Sequence, residues 1–264
     1  MTWLARLLAG ALFAAMASVS AADPMTAATL RVCADPDNLP FSNREGAGFE
    51  NQLAAVLADA MGRQVEYTWY PKGLGFLRQT LLRGRCDLIL SDVRPHERTS
   101  ETAAYYSAPY GLVFRSSTFD GISTLADPRL RTHAIGVVTG SPAAVWLANF
   151  GHIGQAVPYP PTLDDRHAAP VLQMAADLAA GRVDALLIWW PLAAQVAREN
   201  DRIDATPLDQ SEDAPTAAFP IAITVRANDT AWRRHLDGLL AENRPRIRQI
   251  LSRFGLQAPT AHSD

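Results

Sequence analysis

The sequence predicts an α/β protein of two lobes, each a parallel sheet covered by helices, with two hinge strands joining them. Three observations predict it. A βαβαβ pattern runs from Leu30 to Leu90, a second α/β pattern starts at Ala134, and two extended segments lie where the chain must cross between them.

The first unit opens with a short strand, Leu30–Ala34. Phe49 to Met61 follows as a helix, with Phe49, Leu53, Val56, Leu57, Ala60 and Met61 on one face and Gly62 as its stop. Val65–Trp69 is rich in β-formers. Leu74, Leu77 and Leu81 mark a helix from Leu74 to Arg83 closed by Gly84, and Asp87–Leu90 is the third strand. The second unit has a strand at Ala134–Val138, then a helix capped by Ser141 with Pro142 in its first position and Gly151 as its end. A helix over Val171–Ala180 and a strand at Asp184–Ile188 follow, and Pro158–Pro161 reads as a loop. Tyr110–Arg115 and Ala218–Arg226 read as extended. Thr230 to Phe254 is helical, with Pro245 starting a second piece. This tail must pack somewhere and the first unit is the candidate, so the expected lobes are 29–114 plus 219–258, and 115–218.

Residues 1–22 are expected to be an export signal. Arg6 precedes an apolar run from Leu7 to Val19, and small residues close it. The run is shorter than the roughly 20 apolar residues of a membrane span, and no later stretch is long enough, so a soluble periplasmic chain is expected. The net charge is −3, and losing Arg6 makes the mature chain slightly more acidic. Nucleic-acid binding, whose footprint is a basic patch or stripe, is therefore not expected. Hydrophobic residues make up 48% of the chain, enough for real cores and too many for a disordered segment. Cys33 and Cys86 in an exported chain favour a disulfide. Their places, at the end of one strand and the start of another, favour an offset beyond the ~7 Å Cα limit of a bridge. Both readings stand.

The sequence has no nucleophile elbow, paired-histidine zinc motif, CxxC pair, dinucleotide glycine fingerprint or P-loop. Its six histidines are scattered rather than set at metal-ligand spacing. No catalytic residue, metal or cofactor is expected, and the chain is expected to be a monomer.

Several short motifs stand in a telling order. They are Leu30-Arg-Val, Pro40-Phe41, Gly48-Phe49-Glu50, Cys86-Asp87-Leu-Ile, Tyr106-Ser-Ala-Pro-Tyr110, Gly136-Val-Val-Thr-Gly-Ser141, Gly181-Arg-Val-Asp-Ala185 and Ile221-Ala-Ile-Thr-Val-Arg226. In this order they resemble the type II periplasmic solute-binding proteins of family 3. Cys33-Ala-Asp-Pro36, Asn38-Leu-Pro-Phe-Ser-Asn43, Gly48-Phe-Glu-Asn51, Tyr67-Thr-Trp69, Gly75-Phe-Leu-Arg78 and Ile188-Trp-Trp-Pro-Leu192 look like a narrower branch. That branch comprises the J-type accessory proteins associated with PQQ-dependent methanol dehydrogenases. The resemblance implies the type II periplasmic binding protein fold and a non-catalytic accessory, maturation or ligand-binding role beside a PQQ-dependent alcohol dehydrogenase. Two alternatives stay open: a receptor that delivers a small organic solute to an ABC permease, and a small periplasmic enzyme, since some proteins of this fold are dehydratases.

Amino-acid binders of the family carry a carboxylate after the strand matching Asp184–Ile188, where it pairs with the ligand's ammonium. Here Trp189 holds that place. A buried ammonium needs an anion, and an indole offers only weak cation–π attraction. Trp189→Asp is therefore expected to do more than any other single cleft change to permit amino-acid binding.

Ligands in open parallel sheets sit beyond the carboxyl ends of the strands. That geometry nominates Asp35, Asn38 and Phe41 after the first strand, Trp69 and Tyr70 after the second, and Ser91 and Asp92 after the third. The resemblance adds a carboxylate-binding arginine, for which Arg94 and Arg98 both stand open. Thr139, Gly140 and Ser141, before a helix whose free N–H groups suit an anion, join Trp189 and Trp190 from the second lobe. Glu50 reads as a first-turn helix acid.

Overall fold

The computed structural model describes residues 23–92, 96–115, 119–161, 170–208 and 218–257. The expected export signal and Arg94 lie outside the described residues. In chain order the elements are β1 (Thr29–Ala34), β2 (Asp37–Asn38), β3 (Ser42–Asn43), α1 (Phe49–Ala60), β4 (Gln64–Trp69), α2 (Phe76–Gln79), β5 (Leu88–Asp92), β6 (Thr99–Glu101), β7 (Tyr106–Ala108) and β8 (Tyr110–Arg115). They continue with β9 (Ile135–Val138), α3 (Pro142–Asn149), β10 (Ala156–Tyr159), α4 (Pro170–Ala179), β11 (Ala185–Trp189), α5 (Trp190–Arg198), β12 (Ile203–Pro207), β13 (Phe219–Arg226), α6 (Thr230–Glu242) and α7 (Arg244–Arg253).

Two sheets form. The first runs β4-β1-β5-β13-β6 with β7 also on β13, and the second β10-β9-β11-β8-β12. Each has a parallel heart, β4-β1-β5 and β10-β9-β11. Antiparallel strands extend each heart: β13 in the first sheet, β8 and β12 in the second. β8 is a correction to the expected lobe boundary. It pairs with β11 from Ala185↔Phe114 to Trp189↔Tyr110, so the chain changes sheets at Pro109, ahead of that strand. An isolated extended run carries no sign of which sheet it will join. Pro158 and Tyr159, expected in a loop, are part of β10, an edge strand where proline is tolerated. The expected helix from Leu74 starts late, because Gly75 sits at φ 94°, and it breaks at Thr80. Leu74 is left 74% exposed.

The tail packs on the first sheet. Trp232 of α6 is 1% exposed and its indole N–H donates to the Asp87 carbonyl at 3.2 Å. The Asp87 carboxylate, buried, accepts from Arg31 at 2.6 Å and from Arg226 at 2.9 Å. One buried anion thus ties β1 and β13 to the start of β5, and the pairing with two guanidiniums is what makes its burial tolerable.

Cys33 and Cys86 form a disulfide with Cα atoms 5.5 Å apart, which decides between the two readings. Cys86 does not enter β5 in line with the sheet. The Arg85 carbonyl accepts from Thr68 Oγ1 on β4 at 2.7 Å, and the Asp87 N–H then donates to the Arg31 carbonyl at 2.8 Å. The chain therefore crosses the face of β4 and β1 before bending into the strand, and it brings Cys86 over Cys33 within a small core with Phe76, Leu81 and Ile89.

A clasp holds the loop after β1. The Phe49 and Glu50 N–H groups at the start of α1 donate to the Pro40 and Phe41 carbonyls at 2.9 Å. Asn51 Oδ1 accepts from the Gly48 and Asn43 N–H groups at 3.2 and 3.1 Å. A Cβ at Gly48 would lie 2.0 Å from the Phe41 oxygen, so only glycine allows this approach.

Candidate binding cleft

The carboxyl ends of β1, β4 and β5 carry a buried polar cluster. Glu50, in the first turn of α1, is 2% exposed. Its carboxylate accepts the Ser91 hydroxyl proton and lies 3.7 Å from the Lys72 ammonium. Lys72 Nζ in turn donates to the Ser91 carbonyl at 2.8 Å and to Ser91 Oγ at 3.1 Å, and sits 5.7 Å from the centre of the Phe41 ring. Around the carboxylate, burial raises the Tyr105 and Tyr106 phenols well above their ordinary value, and the Glu50 charge adds to both rises. Glu50 is therefore more than a first-turn acid: it is the anionic centre of this cluster. Ser91 both donates and accepts within the cluster and is 7% exposed, an arrangement for holding a cation rather than for attacking a substrate.

Asp35 stands beside this cluster but does not open to solvent. One carboxylate oxygen accepts the Asp37 N–H at 2.9 Å and the other the Lys72 N–H. It fastens two loops, as a turn-forming aspartate does. Asn38 lies in the β2–β3 hairpin, where its carbonyl accepts the Phe41 N–H at 2.9 Å. Trp69 and Tyr70 pack against other rings. Trp69 stacks on Tyr67 at 4.4 Å with the Arg44 guanidinium 5.6 Å from its ring, and Tyr70 packs towards Phe76. Asp92 ends β5.

On the other side, a cavity of about 490 Å³ lies at the carboxyl ends of β9 and β11, beside the crossing strands. Tyr110, Leu192, Trp189 and Phe219 give it apolar walls, and Thr139, Gly140 and Ser141 form its polar end. Gly140 takes φ 75°, the left-handed turn that leads into α3. Ser141 caps α3 by position, yet its hydroxyl makes no cap bond and its buried Oγ has no partner. This helix start is a place in the cavity suited to an anion.

Trp189 joins the two sides. Its ring stacks on Phe41 at 5.6 Å, and its indole N–H donates to the Ala108 carbonyl at 3.2 Å. Trp190 does not face the cavity. Its indole N–H donates to the Gly255 carbonyl at 2.7 Å, and its ring lies so close to Gly111 that a Cβ there would be 2.6 Å away. The strand-end geometry thus brings Thr139, Gly140, Ser141 and Trp189 together around one cavity. It gathers Asp35, Phe41 and Ser91 around another centre, and leaves Trp69, Tyr70 and Trp190 in packing roles. Lys72 was not among the nominated residues.

Two α/β lobes, their parallel strand ends turned to a shared cleft and their chain crossing between sheets, define the class of type II periplasmic binding proteins. No family model matches the chain. The chain is similar to the solved periplasmic binding protein XoxJ from Methylobacterium extorquens AM1, at 30% identity and a TM-score of 0.74, over 88% of this chain and 100% of that one. It is similar to MxaJ from Methlophaga aminisulfidivorans MPT at 25% identity and a TM-score of 0.72, over 88% and 100%. Protein MoxJ of Methylorubrum extorquens is 28% identical over 246 residues, 87% of this chain and 81% of that protein. The chain belongs to the MoxJ/MxaJ/XoxJ branch of the periplasmic binding proteins.

Proposed function

We propose that the protein works in the periplasm as a monomeric, non-catalytic accessory or maturation partner of a PQQ-dependent alcohol dehydrogenase, and that its cleft grips a protein segment rather than a transported amino acid. One observation carries this reading: Glu50 and Lys72, at the first lobe's strand ends, are paired with each other and with Ser91, while the neighbouring cavity is walled by Tyr110, Trp189, Leu192 and Phe219. Such a cavity suits an aromatic or aliphatic anchor, and tyrosine and tryptophan are frequent partners of such anchors at interfaces. Membership of the MoxJ/MxaJ/XoxJ branch supports it, as does the sequence resemblance to dehydrogenase-associated proteins. The test deletes the gene and measures dehydrogenase activity, cofactor loading and solute transport in one strain. Loss of activity or loading is expected; full activity with unchanged loading refutes the accessory role.

The unpartnered Ser141 hydroxyl at the start of α3 favours a second reading, a receptor for a small apolar carboxylate delivered to a permease. Calorimetry with benzoate and phenylacetate tests it. Saturable binding that is lost in Ser141→Ala supports this reading, and heat no different from buffer removes it.

A further inference from the structure

The sequence has 24 lysines and arginines together, and Lys72 is the only lysine among them. Arginine serves at every other basic position, which singles out the surroundings of position 72. The two cations differ in shape. A guanidinium is a flat fork, whereas an ammonium is a compact charge with three tetrahedral donors.

The surroundings of Lys72 Nζ match the second shape. The Ser91 carbonyl lies at 2.8 Å, the Ser91 hydroxyl at 3.1 Å, the Glu50 carboxylate at 3.7 Å and the Phe41 ring centre at 5.7 Å. Carbonyl, hydroxyl, carboxylate and aromatic face together are a recognition set for a primary ammonium. The Glu50 side chain is 3% exposed and that of Lys72 26%, so the pair is largely removed from water, and a buried carboxylate without a cation would be strongly unfavourable. The backbone is held as well, since the Lys72 N–H donates to Asp35. All of this lies at the carboxyl ends of β1, β4 and β5, where a ligand of this fold class is received.

We propose that Lys72 is a built-in occupant of a primary-ammonium site in the first lobe. The chain's own side chain fills the place where a cationic solute would bind, and truncating it exposes a site for small alkylammonium ions. Asp35 is then a positioning residue that fixes the Lys72 backbone, and Glu50 is the site's counter-ion. The proposal holds whichever partner the protein serves.

Because the chain has one lysine, lysine-selective isotope labelling gives a single side-chain ammonium resonance. In the wild-type protein this resonance is expected to be visible at neutral pH, where exposed lysine ammonium protons exchange too fast to be seen, and Ser91→Ala is expected to speed its exchange. Calorimetry of Lys72→Ala with n-propylammonium is expected to give saturable binding about tenfold or more tighter than wild type. Tetramethylammonium, charged but without N–H donors, should bind neither protein, and Lys72→Met, which keeps the stem in place, should not bind n-propylammonium. Equal response of wild type and Lys72→Ala, or binding of both ions alike, overturns the proposal. Should Lys72→Ala fail to fold, the wild-type resonance decides: no protected signal, or an exchange rate unchanged by Ser91→Ala, overturns it.

Discussion

The rings of Phe41 and Trp189 lie 5.6 Å apart with their planes 15° from parallel, so a first-lobe loop and the end of a second-lobe strand meet in one aromatic pair. Trp189→Ala removes this stack and the bond to Ala108. The expected cost is about 3 kcal/mol, the low end for aromatic truncation, because the indole is only partly buried. Urea unfolding measures the cost. If the cavity is the partner contact, the same variant also weakens co-purification with the dehydrogenase; undiminished co-purification would place the contact elsewhere.

Trp190 should behave differently, although it is the next residue. It packs on Gly111 and bonds Gly255 outside the cavity, so Trp190→Ala lowers stability and leaves partner binding per folded molecule unchanged. Gly111→Ala tests the same contact from the other side. Its Cβ would meet the Trp190 ring at 2.6 Å and the Thr206 carbonyl at 2.9 Å, an overpacking expected to cost about 1–3 kcal/mol. A melting temperature equal to wild type in Gly111→Ala contradicts the packing described.

Two features of the structure favour a different outcome for Trp189→Asp from the one expected on the resemblance alone. Position 189 is the N-cap of α5, and aspartate is a preferred capping residue that bonds the helix's own free N–H groups. Lys72 already holds Ser91 and Glu50 in the first lobe. Trp189→Asp alone is therefore expected to bind no common amino acid. A calorimetric titration with saturating heat for glutamate, arginine or glutamine would contradict it.

The Cys33–Cys86 bond closes a separation of 53 residues. A loop of that length implies about 4 kcal/mol from restricting the unfolded chain. Replacing both cysteines by alanine is expected to lower stability by about 2–4 kcal/mol, read as a shift in the denaturant midpoint. An unchanged midpoint in non-reducing buffer would mean the bond is not formed.

Tyr159 supplies a pH dependence. Burial, and then its hydrogen bond to Asp177 at 2.6 Å, push its phenol up to about 12, against about 10 in an unfolded chain. The neutral form is the one favoured by folding. Its contribution is complete below about pH 10 and is lost as pH rises towards 12. Tyr159→Phe should therefore flatten the fall in stability over that alkaline range, and an unaltered alkaline profile would show that Tyr159 does not set it.

Motifs legible in the sequence became structure in an unexpected way. Gly48-Phe-Glu-Asn51 and Pro40-Phe41 stood out as family motifs, with Phe41 alone among them nominated for the cleft, and most of their groups form the clasp that holds the loop to α1. Lys72 was overlooked because its loop carries no periodic pattern. The signal lay in composition instead, as the one lysine among many arginines.

The sequence by itself determined the alternation of strands and helices, the two α/β units, the helical tail and the family branch. The first three follow from periodicity and turn residues, which report locally on which face is buried, and the branch follows from the resemblance of its ordered motifs. Tertiary structure alone decided that β8 joins the second sheet, that Cys86 crosses over Cys33, and that Trp189 faces a cavity while Trp190 faces Gly111. It also decided that a loop lysine reaches the Glu50 carboxylate. Periodicity says that a face is covered and not by what. The covering group comes from a distant part of the chain, and only packing brings the two together.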